Sequence, residues 1–122
     1  MKQLSAWVVL MIVLSLAGHA QTKIPAAEAV KHIGEQTVVC GKVYGVKFLD
    51  KAKGEPTFLN VGAAYPNSPF TVVIFGETRR LLADTPEKLY NGKNICVTGT
   101  VKEYKGKAEI VVSKVEEITI EQ

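Results

Sequence analysis

From Thr37 to Ile120 the chain is a series of short Val-rich runs, broken by glycines and turn residues, and this pattern constrains the fold more than any other feature. Side chains of this kind suit a half-buried pleated surface. Thr37–Phe48 is the first expected strand, and its Gly41 and Gly45 mark bulges or sharp bending. The polar loop Asp50–Pro56 leads to a second strand, Thr57–Val61. The turn-rich stretch Gly62–Pro69 leads to a third, Phe70–Phe75. Thr78–Tyr90 is predicted as a short helix or loop plus helix, starting around Asp84-Thr85-Pro86-Glu87 and ended by Asn91-Gly92. Lys93–Tyr104 and Ala108–Ile120 are the fourth and fifth strands, joined by a tight turn over Tyr104–Lys107. Before all of these, apolar spacing over Ile24–Ile33 predicts a short leading helix, with Pro25 in its first turn and Gly34 past its end.

Five strongly bent strands with a helix between the third and fourth are the layout of the OB-fold, a small five-stranded Greek-key barrel. Glycine-bent strands are what closure of a small barrel requires. Val38-Val39-Cys40-Gly41-Lys42-Val43 echoes Cys96-Val97-Thr98-Gly99-Thr100-Val101. First and fourth strands are neighbours in such a barrel, and a shared need for glycine explains the echo without a repeat.

Residues 1–20 stand apart. Lys2 precedes an almost unbroken apolar run, Leu4–Leu16, followed by Gly18, His19 and Ala20, with small residues at positions −3 and −1 of a cut after Ala20. This is the layout of a secretory signal peptide. The run falls short of the roughly 20 residues that span a bilayer, although an uncleaved amino-terminal anchor is the alternative. Removing 20 of the 122 residues leaves 102, one domain's worth, divided into a leading segment over 21–36 and an OB-fold domain over 37–122. Loss of Lys2 from 15 basic residues, against 12 acidic ones, leaves a net charge of +2. The expected location is exported, periplasmic or extracellular, where disulfides persist.

Taken together, EAVKHIGEQTVVCGKV (28–43), PTFLNVGAAYPNSPFTVVIFG (56–76), LYNGKNICVTGTVKEYKGKAEIVV (89–112) and the closing Val115–Ile120 resemble the OB-fold modules of exported bacterial proteins. These include the modules attached to secreted, sugar-nonspecific nucleases of the YhcR type, and the tRNA-anticodon-binding-like OB domains are similar. The resemblance implies an OB barrel and an association with nucleic acid. No nuclease region accompanies the module here, so nuclease activity is not carried over, and fold alone does not fix function.

Catalytic chemistry finds little footing. His32 is the one histidine beyond residue 20. No H-E-x-x-H, no H-x-E with C-x-x-C and no G-x-S-x-G occurs. The acids are scattered, and no set of convergent ligands marks a metal site or calls for a cofactor. Cys40 and Cys96 fall on strands expected to be antiparallel neighbours. They read as a cross-strand disulfide or as two buried free thiols, and the disulfide is the expectation.

Single-strand binding needs aromatic planes for stacking and cations along the phosphates. OB barrels place such groups on strands two and three and on the flanking loops. Strand alternation turns Phe58 and Asn60 outward if Leu59 and Val61 face the core. Tyr65 adds a second plane. Lys47, Lys51 and Lys53 come from the first loop, and Lys102, Tyr104, Lys105 and Lys107 from the last hairpin. Arg79 and Arg80 are either phosphate contacts or structural caps on carboxylates such as Glu77 and Asp84. The blander reading covers Phe58 with the 63–69 connection and leaves the lysines as solvated surface. The expected function is weak, sequence-independent binding of single-stranded nucleic acid by a non-enzymatic protein. The alternative is an envelope protein that binds a protein, peptide or oligosaccharide on the same face.

Overall fold

The computed structural model describes residues 22–122, and the signal segment expected over residues 1–20 lies outside them. The described chain is mostly β. Its strands are β1 (Lys23–Pro25), β2 (Gln36–Phe48), β3 (Thr57–Val61), β4 (Phe70–Ile74), β5 (Asn94–Thr100), β6 (Lys102–Tyr104), β7 (Lys107–Val112) and β8 (Ile118–Ile120). Two short helices, α1 (Gly76–Arg79) and α2 (Pro86–Tyr90), and two 3-10 turns, Ala26–His32 and Val115–Glu117, complete it.

Eight strands stand where five were expected, and local chemistry explains the divisions. Lys93–Tyr104 breaks at Val101 because that residue's backbone leaves the ladder. Its N–H donates to the Glu35 carbonyl at 3.0 Å, and its carbonyl accepts from Gly34 N–H at 2.7 Å. Ala108–Ile120 breaks because the Glu117 carboxylate accepts from the backbone N–H groups of Ser113 and Lys114, at 3.2 and 2.7 Å, and winds a 3-10 turn. In the segment Thr78–Tyr90, α2 stands where the loop-plus-helix reading expected a helix to start, near Asp84–Glu87, and the additional short helix α1 precedes it. Pro86 biases Thr85 away from helical geometry and then serves as the first helical residue of α2. The leading helix is 3-10 rather than α, and Ile24 belongs to β1 instead.

The ladders run in the order β6-β7-β4-β3-β2-β5-β8, with β1 parallel to the first half of β2. This path is open; the closed five-strand cylinder expected from sequence is not what the ladders form. β5 and β6 follow each other in the chain with only Val101 between them, yet they lie towards opposite ends of the path. Besides β1, β2 serves two antiparallel partners. Its Gln36–Lys42 half pairs antiparallel with β5, and its Val43–Phe48 half pairs antiparallel with β3. The register shifts between Val43 and Val46, so the bulge expected near Gly45 lies where the strand changes partner.

Gly41 and Gly99 have a different use. A Cβ on Gly99 would lie 2.6 Å from Ile110 Cγ2, and one on Gly41 would lie 2.8 Å from Val61 Cγ1. Both are sites of close approach, which accounts for the echoed Val-and-Gly strands. The core is the inward set of these strands: Val39, Val43, Leu59, Val61, Phe70, Val72, Ile74, Ile95, Val97 and Ile110, all essentially without solvent contact.

Cys40 and Cys96 are directly opposed on β2 and β5 and form a disulfide. Their Cα atoms are 4.1 Å apart, near the closer pair spacing of an antiparallel ladder and just below the usual disulfide range. A disulfide favours a location outside the cytoplasm. Among the described residues no helix is long and apolar enough to cross a membrane.

Candidate functional site

The outer face of β3, β4 and β7 forms the floor of a groove of about 560 Å3, within the size range of ligand sites. Its floor follows from the period of two. In β3, Thr57, Leu59 and Val61 are buried while Phe58 and Asn60 are half-buried on the opposite face, as alternation required. In β7, Ala108, Ile110 and Val112 point inward, so Lys107 and Glu109 point out. Register then aligns residues across strands. Asn60 pairs with Thr71, Thr71 with Glu109, and Glu109 with Lys102. One row across four strands therefore carries an amide, a hydroxyl, a carboxylate and an ammonium. Beside it lies Phe58, opposite Lys47.

Two loops wall the groove. The 62–69 connection contributes Tyr65 and Pro66, and the β6–β7 hairpin contributes Tyr104 and Lys105. Tyr65 and Tyr104 are 77% and 58% exposed, so both rings have faces open to a ligand. The Lys107 ammonium donates to the Pro66 carbonyl and lies 5.9 Å from the centre of the Tyr65 ring, tying one wall to the floor. Lys105 lies 5.4 Å from the centre of its neighbour Tyr104. On the floor, Ser68 Oγ donates to Asn60 Oδ1 at 3.4 Å. The Glu109 carboxyl is pushed above the usual carboxylate range by burial, and the nearby charge of Lys102 opposes that shift.

Of the residues singled out from sequence, Lys47, Phe58, Asn60, Tyr65, Tyr104, Lys105 and Lys107 come together here. Lys102 sits at the edge, across the ladder from Glu109. Lys51 and Lys53 are exposed in the β2–β3 loop and do not line the groove. Arg79 and Arg80 do not line the groove, and both pair with carboxylates. Arg79 makes a two-pronged pair with Glu87 at 2.9 and 3.0 Å, donates to Thr57 Oγ1 at 2.9 Å, and lies 3.7 Å over the Phe48 ring. Arg80 pairs with Glu55 at 2.9 Å. The capping partners are thus Glu87 and Glu55, in place of Glu77 and Asp84. Leu49, Pro66, Ser68, Thr71, Ala108 and Glu109 also line the groove and were not singled out from sequence. The outward alternation of KAEIVV was the available signal for Glu109.

A shallower depression lies at the disulfide, where Glu121 Oε2 is 3.1 Å from Cys96 Sγ. Bridged sulfur has no proton to donate and is not a thiolate ligand, so Cys40, Cys96 and Glu121 do not amount to a metal site in the oxidised protein.

No protein-family model matches the chain, and no curated protein matches it in sequence. Solved structures do match. An OBody, AM1L10, bound to hen egg-white lysozyme is 24% identical with a TM-score of 0.56, covering 82% of this chain and 92% of its own. A putative aspartyl-tRNA synthetase from Leishmania major Friedlin is 15% identical with a TM-score of 0.53, covering 88% of this chain but 22% of the synthetase. At these identities the likeness speaks for fold alone, and the fold is OB-like.

Proposed function

We propose that this chain is an exported, non-enzymatic OB barrel that binds single-stranded nucleic acid weakly and largely without regard to sequence. The observation that carries the reading is the convergence of Phe58, Tyr65 and Tyr104 with Lys47, Lys105 and Lys107 on one groove. Rings stack on any base, and ammonium groups follow any phosphate track. The chain passes from β5 to β6 through Val101 alone although the two strands lie towards opposite ends of the open ladder path, and this proximity supports a barrel-like curl of the sheet. The resemblance of the sequence to the OB modules of YhcR-type nucleases agrees with that reading, and the apolar segment before residue 21, together with the disulfide, supports export. Three groove lysines imply a modest salt response. The logarithm of the association constant should fall with the logarithm of salt concentration at a slope of about −2. Fluorescence anisotropy of a labelled oligothymidylate at low salt tests the reading, and no change with tens of micromolar protein would sink it.

A second reading has its own support. The unpaired carboxylate on the floor and the low net charge suit a protein, peptide or oligosaccharide partner, and the OBody shows this kind of fold bound to a protein. Such a ligand, held by apolar contact, survives salt that strips an oligonucleotide.

A further inference from the structure

Glu109 is out of place in a groove built for phosphates. Its side chain lines the floor, half-buried, in the row Asn60–Thr71–Glu109–Lys102. Lys102 acts on it only through its charge, and no hydrogen bond to its carboxylate is made among the described residues. A ligand that covers this carboxylate displaces its water and must supply donors in exchange. A phosphate cannot, because it is an anion and carries no N–H. The phosphate track then passes along Lys47, Lys105 and Lys107, leaving the Thr71–Glu109 part of the floor to face a base edge.

Bases differ in what they offer a carboxylate. Guanine presents N1–H and the N2 amino group side by side, two donors for two acceptor oxygens. The Watson–Crick edges of adenine, cytosine and thymine or uracil each place an acceptor beside a donor, and that acceptor would be set against the second carboxylate oxygen. Guanine also carries the acceptor O6 next to N1. Thr71 stands one strand over from Glu109, at the roughly 4.8 Å spacing of neighbouring strands, and its hydroxyl can donate there. Thr71 and Glu109 thus match the acceptor–donor–donor order of one base.

We propose that the groove selects guanine at one position of an otherwise sequence-tolerant site, with Glu109 accepting from N1–H and N2–H and Thr71 donating to O6. This inference rests on the single-strand reading above. The test is anisotropy at low salt and neutral pH with three oligonucleotides: oligothymidylate, the same strand with one central guanine, and the same strand with inosine there, whose base lacks the N2 amino group. The guanine strand should bind about tenfold tighter than oligothymidylate, with inosine between them. Glu109→Gln should bring the guanine advantage, taken as the ratio of guanine-strand to oligothymidylate affinity of the same variant, within about twofold. Equal binding of the guanine and thymine strands by the natural protein, or a guanine advantage that persists in Glu109→Gln, overturns the guanine inference and leaves single-strand binding standing. Failure of all three strands to bind removes both.

Discussion

Phe58 and Leu59 are adjacent apolar residues with opposite duties, because a strand turns successive side chains to opposite faces. That much was legible from sequence, since TFLNV alternates cleanly once Leu59 is assigned to the core. Glu109 follows the same rule on β7, but its importance depends on a parallel pairing with β4 that brings together residues nearly forty apart, and no local pattern encodes that register. Arg79 and Arg80 were ambiguous for a related reason. They are adjacent and alike, and their partners Glu87 and Glu55 are settled only by where the helix breaks and how the β2–β3 loop folds back. Tyr65 and Tyr104 are exposed and pack little, so Tyr65→Ala and Tyr104→Ala should each weaken oligonucleotide binding about tenfold, from loss of a stacking plane, with an unchanged unfolding midpoint. An affinity change in neither variant would remove the walls from the site.

Two carboxylates give opposite pH signatures. The Arg79 guanidinium holds the Glu87 carboxyl below its ordinary value of 4.5, burial opposing. Its stabilising contribution is therefore present above that value and lost as pH falls through the lower folded value. Glu109 is raised by burial, so folding favours its protonated form. That contribution is present below 4.5 and lost as pH rises through the folded value. Glu109→Gln should therefore raise the denaturant midpoint at pH 7 relative to the natural protein, with the gain shrinking as both carboxyls protonate. Glu87→Gln should lower the midpoint at pH 7. Midpoints measured at pH 7 and at about pH 3.5 check both, the lower value lying beneath the ordinary carboxyl range.

At the level of elements, β2 organises the molecule. One long strand pairs with β5 over its first half and with β3 over its second, and the shift near Gly45 lets it do both. The sequence showed the strand and its glycines but not their division of labour: Gly45 accompanies the bulge, whereas Gly41 makes room for Val61. The broken ends of the last strands were illegible because their causes are tertiary. The 34–35 turn captures the Val101 backbone, and Glu117 caps its own preceding turn. The disulfide fixes the β2–β5 pairing across a sequence separation of 56 residues. On the chain-entropy account, closing a loop of that length contributes about 4 kcal/mol. Replacing both cysteines by alanine should reduce unfolding free energy by about that amount in urea titrations while leaving the ladder intact. A loss below about 1 kcal/mol would show that the unfolded chain is already restricted there.

For the whole molecule, the OB-like frame was readable because a rhythm of bent Val-rich strands in about a hundred residues leaves few architectures. The groove was readable in outline because that frame assigns loops and strand faces in advance. Its floor was not, since the polar row is a product of cross-strand register. The central claim is that one face of this molecule binds a single strand through the rings and lysines of a single groove. Titration of isotope-labelled protein with oligothymidylate at low salt, followed by backbone amide NMR shifts, tests it most directly. The account expects shifts that saturate together at Phe58, Asn60, Tyr65, Thr71, Tyr104 and Lys107, with residues around the disulfide unmoved; shifts scattered over the surface, or centred away from this groove, would contradict it.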